Sequence, residues 1–468
     1  MDRLELQALW RPEKPALLED GGPSYTYAAL ARESRKALAA LRSLGLKEGD
    51  RVAVLAHNSA ETVLLFLACR AGGLTLAPLN WRLAGAELAV VLADFSPAML
   101  FVSPDFAAAA VGTQSMPLGD FARLRAAAAD PGPRARPPLA ESVPLVLYTS
   151  GTTGRPKGAM LPNRMLDANA VNTALGWELG PGDATVGCAP LFHTGGWNVM
   201  TLPLLWVGGT VTLTARFEAG RTAALLRAGK ATALFGVPTM FQSLLAEDLT
   251  GAHPKFLISG GAPCPAPLLE AYLSRGFAFK QGFGLTEAGP NCFCFPDGDV
   301  RRKRGSVGVP MPGTEMRLAE DGELWIRGPH VFSGYLGRPE ETAVTLVDGW
   351  VRTGDLAQRD ADGYYYVLGR KKEMYISGGE NVYPVEVETA LHAHPGVLEA
   401  AVVGVPHELW GEVGRAFVVA RPGARLDAVE LARFLDGRLA RYKQPKEIRI
   451  RPDLPKNAMG KVLKGALS

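Results

Sequence analysis

Along the first half of the chain, apolar runs of strand length alternate with longer helix-like stretches. "RVAVLAHN" from Arg51 leads into "SAETVLLFLACRAGG" from Ser59, and "PAMLFVS" from Pro97 follows an Ala- and Leu-rich segment. This alternation predicts helices layered on largely parallel sheets, an α/β fold. "VPLVLYTS", from Val143 to Ser150, has the length and composition of a buried strand. Residues 184–215 contain no Lys, Arg, Asp or Glu, but Pro190, Pro203 and several glycines interrupt them. They read as protein interior rather than a membrane span. The Ala-, Pro- and Arg-rich residues 123–138 read as a surface connection.

After Gly369 the pattern changes. A charged break at "GRKKE" precedes about a hundred residues with an extended piece, a helix from Pro384, strands at "EAAVVGV" and "RAFVVA", and a helix near "LDAVELARFLDGRL". That is a small α+β unit, with a boundary expected near Lys372. No repeat at solenoid period is present.

A chain of 468 residues exceeds one ordinary core, so two or three domains are expected. With 50 Lys and Arg against 47 Asp and Glu, the net charge is +3. That near-neutral balance supplies no field for sequence-independent nucleic-acid binding. The run Arg301–Arg304 (RRKR) is a candidate anion or partner patch, or a solvated loop. Five cysteines without a C-x-x-C pair suggest neither a disulfide framework nor structural zinc. The start, "MDRLELQALWRPEKP", lacks a signal-peptide pattern. A cytoplasmic location without a transmembrane segment is expected.

The chemistry begins at "YTSGTTGRPKG", Tyr148 to Gly158, which joins three glycines, five hydroxyls, Arg155 and Lys157. Glycines let backbone N–H groups approach an anion, hydroxyls add neutral donors and the lysine adds charge, so the loop is a candidate phosphate cradle. It is not a G-x-x-x-x-G-K-[ST] loop. Pro156 stands where the second glycine belongs and Gly158 where the magnesium-binding hydroxyl belongs.

Four more motifs suit the same chemistry. "LISGGAP" (Leu257–Pro263) and "QGFGLTE" (Gln281–Glu287) pair an apolar entry with glycines that admit a flat ring. The latter is not a dinucleotide fingerprint, because Glu287 occupies the third glycine position. "TGD" (Thr353–Asp355) offers a carboxylate to ribose hydroxyls, and "PKNAMGK" (Pro455–Lys461) sets a lysine on a glycine turn.

In this order, the five motifs resemble the adenylate-forming (AMP-binding) superfamily of acyl-CoA synthetases, firefly-type luciferases and peptide-synthetase adenylation domains. The resemblance runs from near Ser24 to Lys461 and points to the fatty-acid-CoA ligase branch. It implies a large N-terminal domain of α/β subdomains with a small β subdomain, residues 1–371. A small mobile α+β domain, residues 372–468, would carry the catalytic lysine. The implied reaction uses ATP, Mg²⁺ and CoA. A carboxylic acid, fatty or aryl, becomes acyl-AMP with release of pyrophosphate, and CoA then displaces AMP. Alternatives are a carrier-protein thiol as acceptor, a 2-succinylbenzoate- or 4-coumarate-type ligase, and a non-catalytic nucleotide-binding protein. Relatives include monomers and homodimers.

The resemblance further implies residue roles. Thr149, Ser150, Gly151, Thr152, Thr153, Gly154 and Lys157 would hold the ATP phosphates. Gly260, Gly261 and Ala262 would line the adenine site together with Gln281, Gly282, Phe283 and Gly284, and Phe283 would stack on the base. Thr286 would meet the α-phosphate and Glu287 the Mg²⁺. Asp355 and Arg370 would hold the ribose, and Lys461 would bridge carboxylate and α-phosphate. Lys372 would be the hinge, and Gly378 and Gly379 would admit the pantetheine arm of CoA. The acyl pocket would draw on His193, Gly195, Trp197, Val237, Gly261, Gly284 and Cys292, with His193 as gate or general base. Residues 184–215 lack the aspartate with which amino-acid-activating relatives pair the substrate ammonium. An acid with one carboxylate and an apolar body fits better.

Overall fold

The computed structural model describes residues 2–110, 113–133, 137–150, 156–296, 298–456 and 462–467. Six strands form the first sheet, in the order Ser115–Pro117, Met99–Val102, Arg51–Leu55, Thr75–Pro78, Leu145–Ser150 and Pro156–Leu161. The first five are parallel, and the last closes an antiparallel hairpin on the fifth. A second sheet of four strands orders Ser24–Thr26, Pro15–Glu19, Thr210–Leu213 and Ala184–Gly187, parallel except at its first strand.

The helix Ala60–Gly72 touches strand Thr75–Pro78 of the first sheet and strand Pro15–Glu19 of the second. Packed on both sides, it is buried nearly all round rather than on one stripe, every residue but Glu61 and Ala71 being enclosed. Ser59 caps its start by accepting from the Thr62 amide, and Gly73, with φ of 70°, ends it in the left-handed conformation.

Three parallel strands, Ala233–Gly236, Phe256–Ser259 and Phe279–Gln281, form the third layer. An antiparallel sheet follows, from Glu315–Leu318 through Glu323–Arg327 and Trp350–Arg359 to Tyr365–Arg370. The last sheet begins at Tyr375–Ser377 and is dominated by the pair Val397–His407 and Gly411–Ala420, with helices Pro384–His392 and Ala428–Leu435. Between these two sheets lies a single 3₁₀ turn, Lys371–Glu373.

Residues 184–215 are interior, as expected, with Trp197, Leu202, Leu204, Leu205 and Val211 fully buried. Their centre is a wide π-helical turn, Gly195–Val199, before the helix Thr201–Val207. Such a turn frees carbonyl groups from the helical ladder, and frequently marks a functional site. Buried side-chain amides take them up: Asn169 donates to the Asn198 carbonyl at 2.6 Å, and Asn291 to those of Asn198 and Val199, each at 3.1 Å. Replacing Asn291 by Ala orphans part of this set, and is expected to lower unfolding free energy by about 2–3 kcal/mol in a urea titration.

One expectation needs correction. Residues 123–138 do not begin as a surface connection, because Arg123 and Arg125 belong to the helix Leu118–Ala127. Arg125 is buried there, paired with Glu33 and, at 2.9 Å, with Glu61. A guanidinium reads as surface in sequence, but two carboxylates from distant segments make its burial tolerable.

Candidate active site

The loop that opens the chemistry joins two antiparallel strands, with Tyr148 opposite Gly158 and Thr149 opposite Lys157. A strand–loop–strand hairpin is not the strand–loop–helix unit of a P-loop, in agreement with the sequence. Gly151, Thr152, Thr153 and Gly154 lie outside the described residues, as does Lys461, and the Ser150 side chain is likewise not described.

Lys157 sits on the second of the two strands, and its ammonium is ion-paired with Glu341 and lies 5.4 Å from the centre of the Tyr335 ring. The Tyr335 hydroxyl donates to Glu287 Oε1 at 2.7 Å. Burial, then the charge of Glu287, raises the Tyr335 pKa, so the hydroxyl remains a donor. Lys157 and Glu287 are thus brought to the same tyrosine, one over its ring and the other at its hydroxyl, although 130 positions separate them in the chain. Neither Tyr335 nor Glu341 was foreseen. Both belong to "GYLGRPEETA", which has no glycine-loop or triad signature.

The adenine candidates meet at the carboxyl ends of two parallel strands, where open α/β sheets collect ligands. Gly260 and Gly261 follow strand Phe256–Ser259, and Gly282 follows Phe279–Gln281. The Gly282 amide donates to the Ser259 carbonyl at 2.7 Å, tying the two ends together. Residues Gln281 to Glu287 are all half-buried, as the rim of a cleft would be. Phe283 meets Phe293 edge to face at 5.9 Å. Gly284 could be no other residue, since a Cβ would lie 2.2 Å from the Pro290 carbonyl oxygen.

Asp355 and Arg370 are cross-strand partners, with Arg370 Nε 3.0 Å from Asp355 Oδ1. Arg370 also donates to the Thr353 carbonyl at 2.9 Å, and the Asp355 amide to Thr353 Oγ1 at 3.1 Å. The "TGD" turn is therefore fixed from both sides. The neighbouring Lys371 pairs with Asp321 at 2.5 Å and Glu323 at 3.5 Å, and Lys372 is exposed.

In the expected acyl region, His193 Nε2 is buried and has no hydrogen-bond partner among the described residues. Burial, followed by the charge of Arg82, lowers its pKa to about 4, so the imidazole is neutral at physiological pH. Such a base lies ~4 units below an ordinary thiol, a poor match for deprotonating one. A gate or hydrogen-bonding role fits the geometry better. Gly195 and Gly260 flank the Phe235 ring: a Cβ at either would come within 2.8 or 3.2 Å of it. Gly261 lies against Val237, whose Cγ1 would be 3.5 Å from such a Cβ.

Two expected pocket residues are placed differently. Trp197 is fully enclosed, its indole N–H donating to the Leu191 carbonyl and its ring 4.8 Å from Phe66. Cys292 is equally enclosed, its thiol donating to the Gly289 carbonyl at 3.2 Å. Neither side chain faces open space. Gly378 and Gly379, with φ of 61° and 87°, form the exposed turn of the hairpin between Tyr375–Ser377 and Glu380–Val382. Two consecutive positive φ angles account for both glycines by turn geometry. The RRKR run is no free patch: Arg302 pairs with Asp299 and Asp362, Lys303 with Asp360 and Asp362, and Arg304 with Glu270.

A glycine-rich hairpin, glycines gathered at the carboxyl ends of two parallel strands and a buried carboxylate paired with a guanidinium define a class, that of enzymes which hold a nucleotide to activate an acid. The chain belongs to the AMP-binding enzyme family: residues 4–336 match the model of that family, and 386–461 the model of the AMP-binding enzyme C-terminal domain. It is an adenylate-forming acid–thiol ligase. A feruloyl-CoA synthase of Amycolatopsis sp is 42% identical over 95% of this chain and 94% of its own length. An indoleacetate–CoA ligase of Aromatoleum aromaticum is 38% identical over 94% and 92%. Among solved structures, Bacillus subtilis o-succinylbenzoate CoA synthetase with its acyl-adenylate superposes with a TM-score of 0.92 at 31% identity, covering 100% of this chain and 98% of that one.

Among the described residues no three His, Cys, Asp or Glu side chains come together as a metal cage. Glu287, one oxygen of which is held by Tyr335, instead fits a Mg²⁺ that keeps waters and phosphate oxygens as its other ligands. No helix among the described residues is long and apolar enough to cross a membrane.

Proposed function

We propose that the acid is aryl-bearing and that its acceptor is free CoA. The observation that carries this is an apolar, aromatic lining: Phe235 packs between Gly195 and Gly260, Val237 lies beside Gly261, and residues 184–215 carry no carboxylate. Relatives named for ferulate and indoleacetate, both aryl acids, support the reading. The neutralised RRKR run, the one candidate for docking a carrier protein, supports CoA as acceptor.

In this reading the hairpin loop with Thr149 and Lys157 holds the β- and γ-phosphates. Gly260, Gly261, Ala262 and Phe283 enclose the adenine, and Asp355 with Arg370 accepts and orients the ribose. Mg²⁺ bound at Glu287 would neutralise phosphate charge. With Lys461 bridging carboxylate and α-phosphate and Thr286 at the α-phosphate, the substrate carboxylate attacks the α-phosphorus and expels pyrophosphate. The CoA sulfur then attacks the acyl carbonyl beside His193, and AMP leaves. We take residues 1–371 and 372–468 as the two domains, with Lys372 between them, and the cytoplasm, where the five unpaired cysteines would persist, as the location.

The test is pyrophosphate release from Mg-ATP with ferulate, indoleacetate, benzoate, 2-succinylbenzoate and hexanoate, each with and without CoA. CoA-dependent turnover with an aryl acid, with kcat/KM about tenfold or more above hexanoate, is expected. Preference for the aliphatic acid overturns the substrate assignment. For the hinge, Lys372→Pro fixes φ in the linking turn and is expected to keep pyrophosphate release while thioester formation falls at least about tenfold. Equal loss of both removes the hinge.

A further inference from the structure

Lys157, the cation placed to receive phosphate, is already engaged. Its ammonium is ion-paired with Glu341, its side chain 15% exposed and that of Glu341 37%. Glu341 lies in the first turn of the helix Pro339–Thr345, and that turn is fastened at several points. Arg338 donates to Asp94 at 2.7 Å, while the Tyr335 amide donates to Thr342 Oγ1 at 2.9 Å and Thr342 Oγ1 to the Arg338 carbonyl at 2.7 Å. Tyr335 reaches Glu287 from the same segment. The carboxylate is therefore presented to Lys157 by a fixed support.

A carboxylate and a phosphate compete for the same ammonium, and a lysine on a flexible stem can pass from one to the other. Glu341 also has a second cation near it, Arg338 Nε at 4.0 Å from its other oxygen. When Lys157 turns to phosphate, Glu341 is not left as a lone charge, which keeps the exchange cheap. We propose that Glu341 is a positioning residue for Lys157: it holds the lysine while the phosphates are absent, yields it to ATP, and recaptures it as pyrophosphate leaves. Glu341 thereby weakens ATP and pyrophosphate binding alike and speeds product release. The proposal rests on the reading of Lys157 as a phosphate ligand.

Equilibrium binding of Mg-ATP and of Mg-pyrophosphate to the full chain, with no acid present, tests it without reference to the acid substrate. Glu341→Gln is expected to bind both about fivefold more tightly, and the gain is expected to vanish in the Lys157→Met background. With acid present, the same variant is expected to lower the KM for ATP and to be inhibited by pyrophosphate at lower concentration. If Lys157→Met weakens binding but Glu341→Gln leaves it unchanged, the role of Glu341 is overturned and that of Lys157 stands. If Lys157→Met leaves both affinities unchanged, the phosphate role of Lys157 falls, and this proposal with it.

Discussion

A Lys461→Ala variant is expected to lose about 10³-fold or more in pyrophosphate release from Mg-ATP and acid, yet to convert supplied acyl-adenylate and CoA to thioester at close to the parent rate. Carboxylate and triphosphate are both anions and repel until a cation lies between them. A unit charge pair at 4 Å is worth ~4 kcal/mol at an effective dielectric near 20, which gives that factor if it is realised in the transition state. In the second half reaction the carboxylate charge is already gone, tied up in the mixed anhydride, so a bridge between two repelling anions is no longer needed. Separate assays of the two half reactions check this. Undiminished adenylation would end the assignment of Lys461.

Asp355→Asn is expected to raise the Mg-ATP dissociation constant by about 10²-fold, because the charged acceptor for the ribose hydroxyls is lost, with ~1.5–3 kcal/mol for each charge-assisted bond. Stability is expected to fall as well. Asp355 is 5% exposed, and Arg370 Nε would face a neutral amide at 3.0 Å in place of a carboxylate. The link from Arg370 to the Thr353 carbonyl survives, so the strand pair should remain formed. Calorimetric titration with ATP and a thermal melt separate the two effects. Unchanged ATP affinity would detach Asp355 from the nucleotide.

The strand before the phosphate loop, the helix from Pro384 and the paired strands near Ala401 and Phe417 were legible because period and punctuation agree there. So were the candidates that carry a motif, since a motif is local in sequence. Tyr335, Glu341, Phe235 and Asn291 were not legible. Each acts on residues brought near only by folding, and an isolated Tyr, Glu, Phe or Asn has many uses. Trp197 and Cys292 mark a different limit. The sequence places them in segments that carry expected pocket residues, but it does not say toward which side of the segment a side chain turns. Gly378 and Gly379 show a third, where a hairpin turn requires glycines before any ligand does.

The antiparallel pairing of Thr149 with Lys157 has a consequence for how this chain can vary. Cross-strand partners project from the same face of a hairpin, so hydroxyl and ammonium share a side because of register, whatever the length of the loop between them. Residues gained or lost at the loop tip would leave that pair intact. A single residue lost from the strand beyond Lys157, residues 158–161, would turn the ammonium to the opposite face, where Tyr148 and Val146 crowd Gly158. The register between Thr149 and Lys157 is thus a frame-keeping rule: length is negotiable at the bend and forbidden on the strand.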